Sequence, residues 1–321
     1  MKKSLYSLTV ASSIFMLLIN IFINSSSLSS VIEFSINLFI KNIFPSLFPM
    51  FILSSLLIAI DMPKVLGNIF SPFINKVFKT KGEAGFVFFM SMISGFPSSA
   101  KYIDDLIENK SISALDGKKI LLFTFFSNPL FIVNTVGNSF FYSTYFGIIF
   151  LVCHILGNIM IGVLFRNYNK NVYVLDNSFK GSNLKYLNDR INECDIFKTI
   201  FSSIRKSIDV LLNVFGIVTF FLIIINIIFK DTSSLFNIFL IGLTEMTTGL
   251  NYLSMTNADV YLKLVMSMFF ISFGGFSVHF QIMSMLEKRK VTYLPFLISR
   301  ILHAIFSCLF LIIFIEVGML F

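Results

Sequence analysis

The chain has 321 residues, of which 56% are apolar and only 13% carry a charge. Soluble domains are about 45–50% apolar and about 25% charged, so this composition excludes an ordinary soluble enzyme, a disulfide-rich secreted scaffold and a disordered tail. The net charge of +8 lies in short segments between apolar runs, which is typical of a membrane protein with basic cytoplasmic loops. The basic residues form no compact face and no nucleic-acid motif, so a nucleic-acid partner is not expected.

The first 83 residues predict two membrane-spanning helices and two helices at the membrane surface. The apolar run 5–23 is too long for the core of a usual signal peptide and no cleavage site follows it, so an N-terminal transmembrane helix is expected within residues 1–24. Residues 25–42 and 61–83 are amphipathic and are expected to lie in the membrane interface. Residues 43–60 are expected to span the bilayer.

Four later apolar segments are interrupted by residues that break helices. The interruptions fall at 94–99 within 84–107, at 127–129 within 120–141, at 244–249 within 235–253, and at 274–275 within 262–286. Uninterrupted spans are expected at 145–165, 210–229 and 295–315. Residues 166–206 are polar and are expected to form a cytoplasmic linker.

The same order of segments occurs in both halves: a span, two interrupted segments and a second span. A shift of 149 residues places Ser98 on Thr247 and His154 on His303. Basic loops contain 20 of the 25 Lys and Arg residues, and all of these loops are cytoplasmic only if residues 84–107 enter and leave the membrane on one side. Residues 235–253 must do the same from the other side.

The sequence therefore predicts an all-α polytopic membrane protein with an inverted-topology repeat. Each half is expected to contain three crossings and one re-entrant hairpin, and an extra transmembrane helix precedes the first half. The expected division of this single transmembrane domain is 1–24 for the N-terminal helix, 25–165 for repeat 1, 166–206 for the linker and 207–321 for repeat 2.

Breaks at membrane depth are tolerated where protein or a water-filled cavity satisfies the backbone. A single Gly-Phe-Pro sequence is usually only a kink, but four breaks at matching places favour a binding site. Ser98 or Ser99 is expected to cap the helix after the first break, and Asn128 is expected to do so before Pro129. Thr247-Thr248-Gly249 and Gly274-Gly275 are expected to repeat this scheme at the other two breaks.

Two ionisable residues lie at or just after breaks. Lys101 is followed by Asp104 and Asp105, so it either forms a local ion pair or faces an anionic ligand. Glu245 is an intramembrane carboxylate and hence a functional candidate, which could take a proton or help to hold a coupling cation such as Na⁺.

Histidine and glutamine residues are further candidates. His279 and Gln281 follow the Gly-Gly break and could bind a polar ligand, although His279 could instead bond only a neighbouring helix. His154 and His303 are expected to make contacts between helices.

The candidate substrate-binding residues all lie at the breaks or in the half-helices that follow them. They are Gly95, Pro97, Ser98, Ser99, Lys101, Ser127, Asn128, Glu245, Thr247, Thr248, Gly274, Gly275, Ser277, His279 and Gln281. The chain lacks the HExxH, GxSxG and P-loop motifs and any metal-ligand spacing, so no catalytic residue, cofactor or metal is expected and the chain is not expected to be an enzyme.

Three motifs in the same order resemble a known family. They read SGFPSSAK at 94–101, SNPLFI at 127–132 and GGFSVHFQ at 274–281, and they are similar to those of sporulation integral membrane proteins of YlbJ type. That family has a nucleoside recognition or Gate domain related to concentrative nucleoside transporters. The resemblance covers roughly residues 43–315, and Ser99 stands where family members usually carry glycine.

The resemblance implies a multi-pass protein of endospore-forming bacteria, in the mother-cell-derived outer forespore membrane. It implies transport of a small anionic solute, dipicolinate, toward the developing spore, and thereby a role in spore cortex maturation. The expected partners are the lipid bilayer, an anionic or nucleoside-like solute, a coupling H⁺ or Na⁺ and further copies in a homo-oligomer. The alternative is a non-transporting Gate-domain protein that senses a nucleoside-like ligand or scaffolds a sporulation complex.

Overall fold

The structure is a computed structural model that describes residues 25–168, 183–229 and 231–317, together with residues 11, 12, 15, 19 and 21. Within these residues the secondary structure is helical and contains no strand. The N-terminal helix predicted for residues 1–24 lies almost entirely outside the described residues.

The described helices are short where breakers interrupt the sequence and long elsewhere. In chain order they are α1 (Ser25–Leu38), a π-helix (Phe39–Ile43), α2 (Phe44–Ala59), α3 (Met62–Phe78), α4 (Ala84–Ser94), α5 (Ser98–Glu108), α6 (Ala114–Phe123), a second π-helix (Phe131–Phe140), α7 (Thr144–Leu164), α8 (Asn183–Glu193), α9 (Ile196–Ile228), α10 (Leu235–Thr244), α11 (Met246–Ser254), α12 (Val260–Phe273), α13 (Gly275–Met285), a 3₁₀ turn (Glu287–Arg289) and α14 (Tyr293–Glu316).

Five helices of the described part are long and apolar enough to cross a membrane. They are Ser27–Ala59, Thr144–Leu164, Ile196–Ile228, Val260–Met285 and Tyr293–Glu316. The expectation of an all-helical, multi-pass membrane protein is therefore confirmed. Each of the four predicted interruptions separates two helices, since residues 95–97, residues 124–128, Glu245 and Gly274 lie between helical segments.

The prediction of a separate interfacial helix at 25–42 is wrong, because residues 25–59 form one continuous helix. The π-helix ends at Ile43, two residues before Pro45, and the chain stays helical past this residue, which lacks a backbone donor. Glu33 and Asn37 of α1 are exposed, whereas two of its serines face α9. Ser27 donates to Asn226 at 3.2 Å, and Thr219 donates to Ser35 at 3.0 Å.

Helix α9 begins at Ile196, within the segment 166–206 predicted as a linker. The side chain of Asp195 caps this helix by accepting from the backbone of Lys198 at 3.0 Å. Helix α8 lies before α9 in the chain. Its Tyr186 donates to Asp61 at 2.8 Å, so α8 is attached to the turn between α2 and α3. Residues 169–182 lie outside the described part.

Candidate solute-binding site

Two helix pairs and two breaks form the centre of the molecule. We call α4–α5 pair 1 and α10–α11 pair 2, residues 124–128 break 1 and Gly274 break 2. The tip of pair 1 is residues 95–97, and the tip of pair 2 is Glu245. The tip of pair 1 contacts break 1: the Phe96 backbone donates to the Phe126 carbonyl at 2.5 Å, and a side chain at Gly95 would collide with the Asn128 backbone. Gly95 also has φ +78°, a conformation that favours glycine.

The tip of pair 2 rests on break 2 in a similar way. A Cβ atom added at Gly275 would lie 3.0 Å from the backbone nitrogen of Met246, at the start of α11. Break 2 also contacts break 1, because a side chain at Gly274 would collide with the ring of Phe125. The two tips and the two breaks are therefore packed together as one unit.

Buried side chains satisfy the backbone groups that break 1 leaves without helical partners. The Ser127 amide donates to His154 Nε2 at 2.9 Å, and Asn158 donates to the Phe125 carbonyl at 2.5 Å. Arg300 of α14 donates to the Leu122 carbonyl at the end of α6. A break in the apolar interior is stable only with such partners.

Arg300 is a site residue that the sequence pattern did not single out. It is fully buried within an apolar span, and its guanidinium lies 4.4 Å from the centroid of the Phe125 ring. It also donates to His303 Nδ1 at 3.2 Å. The available signal was an arginine inside a membrane span, which is a functional candidate by default.

His279 has structural partners in this arrangement. Its Nε2 donates to the Phe273 carbonyl at 2.8 Å, and its Nδ1 accepts from the Tyr293 hydroxyl at 3.0 Å. Of the two roles open at the sequence level, the geometry is that of a contact with the neighbouring helix α14. His154 and His303 are also in contact, because His303 Nε2 donates to the His154 carbonyl at 2.9 Å.

A cavity of about 430 Å³ lies beside the two tips, and we call it the central cavity. Its wall combines amide and hydroxyl side chains with aromatic rings. The lining residues are Leu38, Asn42, Ile43, Ser46, Leu47, Ser94, Phe96, Pro97, Ser127, Asn128, Leu130, Phe131, Asn134, Thr135, Val214, Val218, Glu245, Met246, Thr247, Val278 and Gln281. Asn42, Ser46, Asn134 and Thr135 were not predicted, because they lie within helices and not at breaks.

The structure brings six of the predicted site residues together in this wall and places the other nine elsewhere. Those in the wall are Pro97, Ser127, Asn128, Glu245, Thr247 and Gln281. Those outside the wall are Gly95, Ser98, Ser99, Lys101, Thr248, Gly274, Gly275, Ser277 and His279. The glycines among them shape the breaks, whereas Lys101 lies one turn further along α5.

Glu245 is the N-cap of α11, a role that was predicted for Thr247 or Thr248. Its carboxylate accepts from the backbone of Thr247 at 3.1 Å and of Thr248 at 2.7 Å, and from the Thr248 hydroxyl at 2.7 Å. A carboxylate at this place balances the positive end of the helix dipole. The prediction for Asn128 is confirmed, since its side chain accepts from the Leu130 amide at 2.8 Å.

The predicted cap at Ser98 or Ser99 is wrong. Helix α5 starts at Ser98 itself and has Pro97 at its N-cap position, where no side chain bonds the helix. Ser99 is fully buried, and its hydroxyl has no hydrogen-bond partner among the described residues. Backbone carbonyls take two of the first amides, since Ser98 donates to Gly95 at 3.2 Å and Ala100 to Pro97 at 3.0 Å. The N-terminus of α5 therefore keeps part of its positive dipole end beside the lining residue Pro97.

Lys101 forms the local ion pair that was one of its two predicted roles. Its Nζ lies 2.5 Å from Asp105 and donates to Ser55 of α2 at 2.7 Å. The lysine side chain is 3% exposed, and it does not line the central cavity. Its charge is therefore neutralised by Asp105, at a distance from the two tips.

The carboxylates of Asp104, Asp105 and Glu108 lie within 4.8 Å of one another, but each has a basic partner. Arg289 pairs with Asp104 at 2.5 Å, and Lys206 pairs with Glu108 at 2.9 Å. Hydrogen bonding from Lys206 holds the pKa of Glu108, which lies outside the candidate spans, below its usual value. The cluster is thus used in ion pairs that join α5 to neighbouring elements.

Comparison with known proteins finds a relative in Bacillus subtilis (strain 168), the sporulation integral membrane protein YlbJ. It is 28% identical over 299 residues, which cover 84% of this chain and 73% of the relative. No family model matches the chain, and no solved structure matches it. The match confirms the resemblance inferred from the three motifs, whereas the relation to Gate-type domains stays a prediction.

Proposed function

The chain belongs to the family of YlbJ-type sporulation integral membrane proteins, and we propose that it transports a small polar solute across a membrane during endospore formation. The observation that carries this proposal is the central cavity, which lies where two helix-pair tips meet two breaks. Discontinuous helices that meet near the bilayer midplane are the places where many transporters bind solute and coupling ion. The proposed location is the outer forespore membrane.

An inverted-topology repeat is part of the proposal, and two contacts support it. A two-fold repeat brings residues on its axis into contact with their own counterparts. His154 contacts His303, with ring centroids 4.7 Å apart, and Phe125 contacts Gly274. Both contacts join residues related by the shift of 149 positions. In this arrangement each half has three crossings, and pairs 1 and 2 are re-entrant hairpins from opposite sides.

For the solute we propose a small aromatic anion such as dipicolinate. The N-terminus of α5 keeps part of its positive dipole end beside Pro97, and Phe96 and Phe131 offer apolar surface for a ring. Glu245 is the one ionisable residue among the described residues of the wall. A dicarboxylate would therefore enter together with a proton or Na⁺ that offsets the Glu245 charge, which makes Glu245 the proposed coupling residue.

A nucleoside-like solute is a second candidate that the wall chemistry favours. Asn42, Asn128, Asn134 and Gln281 supply amide donors and acceptors, and no described lining residue is basic. Such a wall suits a neutral ring with hydrogen-bonding edges. The same cavity could serve a sensor or a scaffold for a sporulation complex, which would bind the solute without moving it.

Uptake into proteoliposomes tests the proposal and separates these cases. The purified protein is reconstituted, and the entry of labelled dipicolinate and of a panel of labelled nucleosides is followed with and without H⁺ and Na⁺ gradients. Empty liposomes are the control. Gradient-driven accumulation of one solute supports transport. Saturable binding without accumulation supports the sensor or scaffold, and the absence of both would overturn the proposal.

Labelling of single cysteines tests the proposed topology. A cysteine at Lys110 or Lys288 should react with a membrane-impermeant reagent only from the cytoplasm, and a cysteine at Asp231 only from outside. Reaction at position 110 from outside would contradict the re-entrant arrangement of pair 1.

A further inference from the structure

A second cavity lies near the C-terminal end of α5, away from the two tips. It has a volume of about 330 Å³, and its wall is more polar than that of the central cavity. Ser55 of α2, Asp105 and Glu108 of α5, and Lys206 of α9 are among its lining residues. We call it the lower cavity. By the predicted topology it faces the cytoplasm, since the basic loop after α5 does so.

Helix α2, helix α5 with its N-cap Pro97, and helix α9 each contribute residues to both cavities. On each of them a residue of the central cavity and a residue of the lower cavity are eight positions apart, which corresponds to about 12 Å at 1.5 Å per residue. These residues are Leu47 and Ser55 on α2, Pro97 and Asp105 at α5, and Val214 and Lys206 on α9. The equal offsets place the two cavities one above the other along the seam between α2, α5 and α9.

On each of these elements a buried residue lies between the levels of the two cavities. Phe51 of α2, Lys101 of α5 and Leu211 of α9 lie between the two levels and are 0%, 3% and 1% exposed. Lys101 Nζ lies 5.5 Å from the centroid of the Phe51 ring, and Phe51 and Leu211 belong to one apolar cluster. We call these three residues the barrier layer.

Lys101 connects the barrier layer to the lower cavity. Its ammonium bonds Ser55 and Asp105, and both of these residues line the lower cavity. The ion pair therefore holds the lysine side chain across the seam, against the Phe51 ring. A solute that passed between the cavities would have to displace the ring and this ammonium.

We propose that the seam between α2, α5 and α9 is the route between the central cavity and the cytoplasm, and that the barrier layer closes it. The proposal rests on the proposed transport function and adds to it a path and a closing element. It assigns Lys101 to the closure of the route and not to the binding of the solute. The lower cavity is then a polar vestibule that a hydrated solute enters or leaves.

Cysteine accessibility tests this route without any solute. Cys153, Cys194 and Cys308 are first replaced by alanine or serine, and a single reporter is placed at Thr199 in the lower cavity or at Val214 in the central cavity. A charged, membrane-impermeant thiol reagent is added from the cytoplasmic side of sealed vesicles. We expect the cysteine at Thr199 to react readily and the cysteine at Val214 to react slowly.

Opening the barrier layer should change only the second reporter. In Phe51→Ala and in Lys101→Met, the reaction at Val214→Cys should become faster by about ten-fold or more, because the loss of a buried ring or ion pair admits water. Phe150→Ala is the matched control, since Phe150 is equally buried but lies in α7 away from the seam. It should leave the rate unchanged.

The outcomes separate the route from the transport function. Rapid reaction of Val214→Cys in the parent protein would overturn the proposal, and so would an unchanged rate in both barrier variants when each is monodisperse on size exclusion. If Phe51→Ala does not fold, Phe51→Leu and Lys101→Met decide the matter. If the labelling follows expectation but no solute enters proteoliposomes, the transport function fails and the route between the cavities stands.

Discussion

The tips of pair 1 and pair 2 both contact breaks, but they differ in whether the N-cap side chain bonds the first turn of the helix that follows. At pair 2 the Glu245 carboxylate caps α11 and accepts three hydrogen bonds. At pair 1 the N-cap residue Pro97 makes no side-chain hydrogen bond to α5, and the nearby Ser99 hydroxyl has no partner among the described residues. One side of the central cavity therefore carries a positive dipole end, and the other carries a carboxylate whose charge is partly balanced.

This difference indicates how one cavity could hold two different charges. An anionic group of a solute is favoured near α5, where the N-cap side chain bonds no helix amide. A proton or a cation is favoured near Glu245, the one carboxylate among the described lining residues. Two identical tips would lack this division. Mutations that change the charge or the hydrogen bonding at either tip therefore test this division.

Glu245→Gln should have the largest effect on transport. The amide keeps the size of the side chain but removes the charge, and a hydrogen bond to a charged group is worth about 1.5–3 kcal/mol. We expect cation-driven or proton-driven flux to fall by about 10- to 100-fold, and its dependence on the driving ion to disappear. Flux in proteoliposomes at several pH and Na⁺ values measures this. Wild-type ion dependence in Glu245→Gln would rule out the coupling role.

Lys101→Gln should affect stability and leave solute affinity unchanged. Removing one partner of a buried ion pair costs about 3–5 kcal/mol, but Asp105 is 12% exposed and keeps Ser55 as a partner. We therefore expect a loss of about 1–3 kcal/mol in the free energy of unfolding. Thermal unfolding followed by circular dichroism, together with the dissociation constant of the solute, checks both parts. A ten-fold weaker affinity would return Lys101 to the binding site.

A matched pair of hydroxyl deletions tests the contrast between the tips with a smaller effect. Thr248→Val removes a hydrogen bond to the Glu245 carboxylate, so a loss of about 1–2 kcal/mol in unfolding free energy is expected. Ser99→Ala removes a hydroxyl without a partner, so a change within about 0.5 kcal/mol is expected. The two variants are compared by thermal unfolding. Equal losses would mean that the two tips are not different in the way described.

The positions of the breaks were predictable from the sequence, because their causes are local. Gly95, Pro97, Pro129 and Gly274 disfavour a regular helix whatever surrounds them. The cap of α11 was misassigned, because threonine is a common capping residue while glutamate is usually placed later in the first turn. Only the observed backbone at Glu245 shows that its carboxylate reaches the two amides.

The partners of the breaks could not be predicted, because they come from distant helices. Asn158 of α7 reaches the Phe125 carbonyl of break 1, and Arg300 of α14 reaches the Leu122 carbonyl just before it, and no local pattern states which carbonyl each one meets. The continuity of α1 and α2 was missed for a related reason. The amphipathic pattern of α1 suited the membrane interface, and Glu33 and Asn37 are indeed exposed, but Ser35 is buried and accepts from Thr219 of α9. Tertiary packing decided both features.

Protection of a cysteine by solute tests most directly whether the central cavity between the two tips is the binding site. In the background without native cysteines, Thr247→Cys lies in the cavity wall, and Asn138→Cys is exposed in the second π-helix outside it. Each is modified by a charged thiol reagent with and without a saturating solute of the panel. We expect the rate at Thr247→Cys to fall by about ten-fold or more when the site is more than nine-tenths occupied, and the rate at Asn138→Cys not to change. An unprotected Thr247→Cys in protein that binds or transports that solute would show that the central cavity is not the binding site.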